Sequence, residues 1–146
     1  MGDFDYVPDV MKKLGFEILI SQIAIQPGKP TVFAKNGNKF IFGLPGNPVS
    51  SFTLFELLVK PFVYKLMNCD FKPIAIKMPL ASTFFRKRTE RLAWVPVKIN
   101  QNYEIEPVEY HGSAHINSLT EVFGLMPVAI GISEVKKGSL VYVRQI

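Results

Sequence analysis

Cysteine, histidine and tryptophan are scarce in this chain, which has Cys69, His111, His115 and a single Trp94, and no long apolar run occurs anywhere. A lone thiol excludes an internal disulfide and a multi-cysteine metal site. No charged-then-apolar leader precedes the first segment expected to fold, so a reducing, cytoplasmic setting is expected. Spanning a bilayer takes roughly 18 to 20 consecutive apolar residues, and their absence predicts neither a transmembrane segment nor a membrane partner. His111 and His115 sit four apart without an acidic or thiol neighbour, a pattern that reads as surface rather than as a metal site. Acidic residues are also the minority charge, 12 against 17 Lys and Arg. The resulting +5 favours acidic partners, whether phosphorylated small molecules, oxyanions or nucleic acid. Internal repeats and low-complexity stretches are missing as well. What remains is 146 residues with 48% hydrophobic content, enough for one substantial core or two small ones.

Two kinds of pattern divide the chain. Through about Leu66 helix and strand signals alternate. Asp5 is a possible N-cap for a helix over Tyr6 to Leu14, with Gly15 placed to end it. Phe16 to Ile25 reads as an apolar strand, broken by Pro27-Gly28-Lys29-Pro30. Thr31 to Ala34 resumes extended structure, and Asn36-Gly37 marks a hairpin turn before a strand at Lys39 to Leu44. A helix from Pro48 to about Met67 carries Phe52, Phe55, Val59, Phe62 and Leu66 on one face, with Leu54, Leu57 and Leu58 widening the stripe, and is expected to be largely buried. Pro61 is expected to kink it.

Beyond a linker at Asn68 to Pro73, short strands follow at Ile74 to Pro79, Arg91 to Ile99, Tyr103 to Val108, Met126 to Ile130 and Ser139 to Ile146. A single helix is expected at Asn117 to Phe123, with Ser118 and Glu121 at capping-box spacing and Gly124 closing it. The fold class is therefore α/β plus all-β: residues 1–70 as a partial open α/β domain, then residues 71–146 as a small β-barrel. The first unit offers about three strands and two helices, fewer than an open sheet normally has, so it is expected to be completed by an upstream part or by association.

The most informative segment is Lys39-Phe-Ile-Phe-Gly-Leu-Pro-Gly-Asn-Pro-Val-Ser50. Phe40 to Leu44 suits a buried strand, Pro45 and Gly46 a turn, Asn47 an N-cap and Pro48 the first helical position. Such a junction aims backbone N–H groups and the positive end of a helix dipole at one spot, a seat for a phosphate or another oxyanion. The same pattern also serves a capped helix that binds nothing. A basic run, Arg86-Lys87-Arg88 with Arg91, interleaves with Phe84, Phe85 and Trp94, which raises nucleic-acid stacking as a further reading, but the same aromatics fit a core and no nucleic-acid partner is expected.

Three motifs in compact order, Gly2-Asp3-Phe4-Asp5-Tyr6, Ile25-Gln26-Pro27-Gly28-Lys29-Pro30 and Gly43-Leu44-Pro45-Gly46-Asn47-Pro48-Val49-Ser50, resemble those of the molybdopterin molybdenumtransferases, the MoeA family that includes the gephyrin E domain. Gly112 to Leu119 is similar to that family's glycine-serine loop, and Gly138 to Val143 to its final strand. The resemblance implies an enzyme of molybdenum cofactor synthesis that inserts molybdate into adenylylated molybdopterin and releases AMP, with Mg²⁺ as cofactor and molybdopterin and molybdate as substrates. It implies a homodimer, and that this chain matches the C-terminal part only, so that upstream domains are further partners and the chain alone is expected to be inactive. The family's Ser-Gly-Gly-Val-Ser run is not found ahead of Gly2. Gln26 stands where many members carry a basic residue, and Ala114 where many have glycine.

On that resemblance the catalytic candidates are Asp5, Lys29, Arg91 and Ser113, with Arg88 competing for the role of Arg91. The cofactor-binding candidates are Pro45, Gly46, Asn47, Pro48 and Ser50, and the metal candidates Asp3 and Asp5. Each role has its chemistry. Carboxylates hold Mg²⁺ beside a phosphate or organise molybdate-bound water. Lys29 supplies a point cation on a loop whose Pro-Gly turn fixes its direction. Together with the helix start, Lys29 and the arginine surround a dianion with positive field. Asp5 also fits a plain N-cap, and Lys29 a solvated loop. The alternative function is a non-catalytic peptide- or protein-binding module of the gephyrin type.

Overall fold

The computed structural model describes residues 6–108 and 116–146. Helix α1 (Val7–Lys13) opens the fold, its cap position on Tyr6, and ends where Gly15 takes a φ of +80°. Strands β1 (Glu17–Ile20), β3 (Val32–Asn36) and β4 (Lys39–Gly43) form a three-stranded, entirely antiparallel sheet in the order β1-β3-β4. Alternation along β3 sorts its side chains between two layers. Val32 and Ala34 join Met11 of α1 in a small core with Phe16, Ile18 and Ile41. On the opposite face Phe33, Phe40 and Phe42 gather around Phe62, with ring centroids 5.1 to 5.3 Å from it. Gly43 is required on the α1 side, because a Cβ there would lie 2.8 Å from Val7 Cγ1.

The expected strand over Phe16 to Ile25 does not run through. It stops at Ile20, after a register shift between Ile18 and Ile20. The chain then crosses to a different sheet, where β2 (Ile25–Gln26) pairs in parallel with Leu92 and Ala93 of β7 (Leu92–Ile99). The hairpin at Asn36-Gly37 forms as expected, with Gly37 at φ +56° and Asn36 opposite Lys39.

Helix α2 (Pro48–Leu54) continues through a π-helical turn, Phe55–Val59, into α3 (Lys60–Leu66). Proline at position 61 explains the change of register. The Lys60 amide donates to the Phe55 carbonyl, one residue further back than in an α-helix, and Pro61 has no N–H to give to the next carbonyl, Glu56. Arg144 supplies the missing donor: its Nη2 hydrogen-bonds the Glu56 carbonyl, and its guanidinium lies 5.3 Å from the Phe71 ring. Burial pushes this guanidinium below its usual pKa, opposed by the charge of Glu56. Glu56 is itself buried and pairs with Lys60 at 2.9 Å. The expectation of a largely buried helix does not hold. Phe55, Val63, Tyr64, Leu66 and Met67 are exposed, because only one side of the helix meets the sheet.

Strands β5 (Ala75–Pro79), β6 (Phe84–Phe85), β7, β8 (Ile105–Pro107), β9 (Gly124–Val128), β10 (Glu134–Val135) and β11 (Leu140–Gln145) follow. The main sheet runs β2-β7-β9-β11-β5, with β8 paired to the far end of β7, while β6 and β10 make a separate two-stranded pair. Its core contains Met78, Leu80, Val97, Ile105, Met126 and Val143. One isolated bridge, Leu80 to Ile105, joins the β5 end to β8, so no closed strand ladder forms among the described residues. The fold is thus mixed helix and sheet, with much sheet. The expected helix over Asn117 to Phe123 is a 3₁₀ helix, Ile116–Glu121. Gly124 is not its cap but the first residue of β9, where a Cβ would come within 2.6 Å of the Arg144 carbonyl oxygen. No helix among the described residues is long and apolar enough to cross a membrane.

Candidate functional site

The parallel pairing of β2 with β7 decides which candidates meet. The Leu92 amide donates to the Ala24 carbonyl at 3.0 Å, and Arg91 Nη1 donates to the Ile25 carbonyl at 3.3 Å. Beyond β2 the chain turns back through a cis Gln26-Pro27 peptide and Gly28, and the Ile23 amide donates to the Lys29 carbonyl at 3.1 Å. Thr31 Oγ1 donates to the Gly28 carbonyl at 2.6 Å from a buried position. Gly28 has a φ of +120° and lies against Leu54, so the turn is seated on the side of α2.

These constraints put Lys29, Arg88 and Arg91 on the wall of one open cleft of about 620 Å³, together with Gln22, Ile23 and Glu90. Three cations around one opening, against one carboxylate, make it suited to an anion. Arg88 and Arg91 reach it together, so their competition is not resolved in favour of either. Arg91 is partly committed to the Ile25 carbonyl, whereas Arg88 and Lys29 are exposed. Arg86, first of the basic run, is occupied elsewhere: Nε, Nη1 and Nη2 donate to the carbonyls of Ile132, Arg91 and Ala129. It is a staple across the sheet edge rather than a phosphate ligand, which weakens the stacking-plus-cation pattern read from the sequence.

The bend at Pro45 to Ser50 takes the expected form. Asn47 caps α2 with Pro48 in the first turn, Gly46 is exposed and Ser50 is buried. The capping interaction, however, uses the donors an anion needs: Asn47 Oδ1 accepts from the Val49 amide at 3.0 Å and the Ser50 amide at 3.2 Å, and the Ser51 amide goes to the Asn47 carbonyl. Ser51 Oγ donates back to the Pro45 carbonyl and tightens the bend. The walls of the Lys29 cleft do not include residues 45–50. Asn47→Ala is expected to lower stability by about 1 kcal/mol, since two helix-start amides lose their acceptor, and the urea midpoint measures it.

Asp3, Asp5 and Ser113, as well as His111 and His115, lie outside the described residues. Among the described residues no three His, Cys, Asp or Glu side chains gather as a metal site. The 3₁₀ helix Ile116–Glu121 is in contact with α2.

Residues 1–65 match the family model described as "Probable molybdopterin binding domain", which takes in α1 to α3, Lys29 and the bend but not Arg91. A molybdopterin molybdenumtransferase of Staphylococcus epidermidis is 44% identical over 85 residues, 58% of this chain and 20% of that protein. The Staphylococcus aureus protein of the same name is 41% identical over the same shares. A solved molybdopterin biosynthesis MoeA protein from Pyrococcus horikoshii superposes with a TM-score of 0.84 at 30% identity, covering 97% of this chain and 34% of the other. This chain is similar to a part of the MoeA proteins. Its matched segment spans 20% of the length of the staphylococcal relatives, so it corresponds to a part of them.

Two features of the site had no sequence signal that pattern reading could use. The β2 pairing involves only two residues at the end of an apolar run, too short to register as a separate strand. The use of Arg86 on three carbonyls depends on loops distant in sequence.

Proposed function

We propose that this chain contributes oxyanion- and molybdopterin-binding surface to molybdenum cofactor biosynthesis, as part of an activity that inserts molybdate into adenylylated molybdopterin and releases AMP. The observation that supports it is the convergence of Lys29, Arg88 and Arg91 on one cleft through the β2–β7 pair. In this reading residues 1–70 belong to the molybdopterin-binding unit and residues 71–146 to a β-barrel unit, the working form is a cytoplasmic homodimer, and Ser113 and Asp5 complete the site.

Molybdate carries two negative charges, and inserting it means holding that charge while an oxygen leaves and sulfur takes its place on the metal. Lys29 provides a compact cation whose backbone is fixed at both the Ile23 amide and the Gly28 turn. Arg91, partly anchored on the Ile25 carbonyl, and Arg88, free to swing, offer planar donors to tetrahedral oxygens. Fixed charges of this kind stabilise the departing oxygen without reorganising during the step. At the bend, an anion must either displace the Asn47 carboxamide from the Val49 and Ser50 amides or sit over Gly46. Among the described residues no three carboxylate, imidazole or thiol groups gather for Mg²⁺, which leaves Asp3 and Asp5 as the residues that would hold it.

The test is thermal unfolding with and without molybdate. Ligand at about 100 times its Kd stabilises a fold by about 2.7 kcal/mol, which raises the midpoint measurably. Lys29→Ala and the pair Arg88→Ala with Arg91→Ala are expected to abolish that rise while leaving the ligand-free midpoint near its starting value. An undiminished molybdate effect in both variants rules the cleft out. Supplying the remaining domains of a MoeA relative in trans is expected to give molybdate-dependent AMP release that depends on Lys29.

A further inference from the structure

Arg86 bears on the Lys29 cleft without lining it. It follows β6, and its amide donates to the Ser133 carbonyl at 2.9 Å, one step beyond the pairing of Phe85 with Glu134. Its guanidinium then bonds carbonyls of two separate segments. Nε donates to Ile132 at 2.7 Å and Nη2 to Ala129 at 2.5 Å, both in the turn between β9 and β10, while Nη1 donates to Arg91 at 2.8 Å. A planar fork with five N–H groups holds three carbonyls in a fixed relation, which a lysine ammonium on a flexible stem cannot do. Arg86 also borders a second cleft, of about 880 Å³, with Phe84, Phe85 and Trp94, and it is not among the walls of the Lys29 cleft.

The bond to Arg91 closes the segment 86–91 on itself, from its first side chain to its last carbonyl. That segment carries Arg88, Glu90 and Arg91, which line the Lys29 cleft. A further tie holds its middle: the Gly131 amide donates to the Thr89 carbonyl at 2.9 Å, in a turn where Gly131 has a φ of +82°. From Arg91 the constraint passes on to β2, through Arg91 Nη1 on the Ile25 carbonyl and the Leu92 amide on the Ala24 carbonyl. Residues 86–91 belong to no helix or strand, and Lys87, Arg88 and Glu90 are exposed, so packing does little to shape this loop and a few hydrogen bonds set its course. Without the fork the backbone regains freedom, and the apparent affinity for an anion falls by the fraction of molecules in which the loop presents its arginines.

We propose that Arg86 is a positioning residue for the anion cleft: its three carbonyl bonds hold the 86–91 loop in the arrangement that presents Arg88 and Arg91 beside Lys29. The consequence for anions rests on the oxyanion reading of that cleft, whereas the ordering of the loop rests on the hydrogen bonds alone. The charge of Arg86 is not the agent, because the group lies outside the cleft walls and is spent on backbone carbonyls. Lys87 separates the two effects. It carries the same charge one position on, is exposed, and is likewise outside the walls of the cleft.

The experiment titrates molybdate into the whole chain by calorimetry, well below each variant's unfolding midpoint, so that affinity refers to folded molecules. Arg86→Lys keeps the charge and loses the fork, and is expected to weaken molybdate about tenfold, as a loop competent in about one molecule in ten would. Arg86→Met is expected to do the same; if it does not fold, Arg86→Lys carries the test. Lys87→Ala is expected to change affinity less than about threefold, since an exposed charge outside the cleft is screened. The second readout is the guanidinium N–H signals of Arg91 by NMR. In the wild type they are expected to exchange slowly, and in Arg86→Lys to exchange fast, while the Leu92 amide stays protected in the β2–β7 pair. A merely structural role lowers the urea midpoint and leaves both readouts at their wild-type values. Wild-type molybdate affinity in Arg86→Lys, or unchanged Arg91 signals there, overturns the proposal. Should the wild type bind no molybdate, the oxyanion reading falls and the Arg91 signals decide: fast exchange in Arg86→Lys upholds the positioning role, and unchanged exchange ends it.

Discussion

Gly28→Ala is expected to destabilise the chain by about 2 to 4 kcal/mol and to weaken molybdate at the same time, since the substitution strikes both the packing of α2 and the direction of Lys29. An added Cβ would lie 2.5 Å from Leu54 Cδ1, 2.8 Å from Cγ and 2.9 Å from Cδ2. Leu54 is fully buried, so it has nowhere to retreat. The φ of +120° adds backbone strain for any residue with a side chain. Relief can come only by lifting the turn off the helix, and that breaks the Thr31 hydroxyl bond to the Gly28 carbonyl and frees the Lys29 loop. Urea denaturation measures the first effect and a molybdate titration the second. Shortening Leu54 to Val should restore part of the lost stability in Gly28→Ala, giving a double-mutant cost smaller than the sum. A simple sum would mean that Leu54 is not what the new methyl meets.

Much of the first half of the fold was legible because its signals are local. Asn36-Gly37 specifies a tight hairpin by itself, and Gly15 ends α1 through a positive φ. Asn47-Pro48 specifies a helix start, and the cap forms as the residue types require. The same local logic concealed the competition at that helix start: a good N-cap consumes the very amides that make the position attractive to an anion. Pattern reading failed where partners are far apart in sequence. The apolar stretch from Phe16 to Ile25 is one run in the sequence but serves two sheets, because Ile25 and Gln26 find β7 more than sixty positions later. Gly124 looked like a helix terminator beside Phe123, yet its conformation is set by the close approach of β11. For the site, the family resemblance singled out Lys29 and Arg91, with Arg88 competing, but only the strand crossing brought them to one cleft. The aromatic residues beside that run were read with their cations as one surface. The structure separates them, with Arg86 bound to carbonyls and the rings lining another cleft.

Arg144 and Pro61 form a pair whose energies should not add. The proline removes the N–H that would otherwise serve the Glu56 carbonyl in the π register, and Arg144 reaches across from β11 to supply one. Arg144→Met keeps an apolar stem of similar reach but leaves that carbonyl without its donor, at about 1 to 3 kcal/mol, and also removes the cation from the Phe71 ring, at about 0.5 to 1 kcal/mol. The expected total is about 1.5 to 4 kcal/mol, a large share of the stability of a domain this size. Pro61→Ala returns an N–H to the helix, so in that background the carbonyl has a donor within its own element. Arg144→Met should then cost at least about 1 kcal/mol less than it does beside proline. Chemical denaturation of the four proteins gives the coupling directly, and the amide of residue 61, present only in the Pro61→Ala forms, should become more protected from hydrogen exchange when Arg144 is removed. Equal costs in the two backgrounds would mean that the guanidinium acts through Phe71 and Glu56 charge alone. Because this bond and the β2–β7 pair are separate ties between the first part of the chain and the later sheet, loss of Arg144 is also expected to leave the Lys29 cleft intact, with molybdate affinity per folded molecule unchanged.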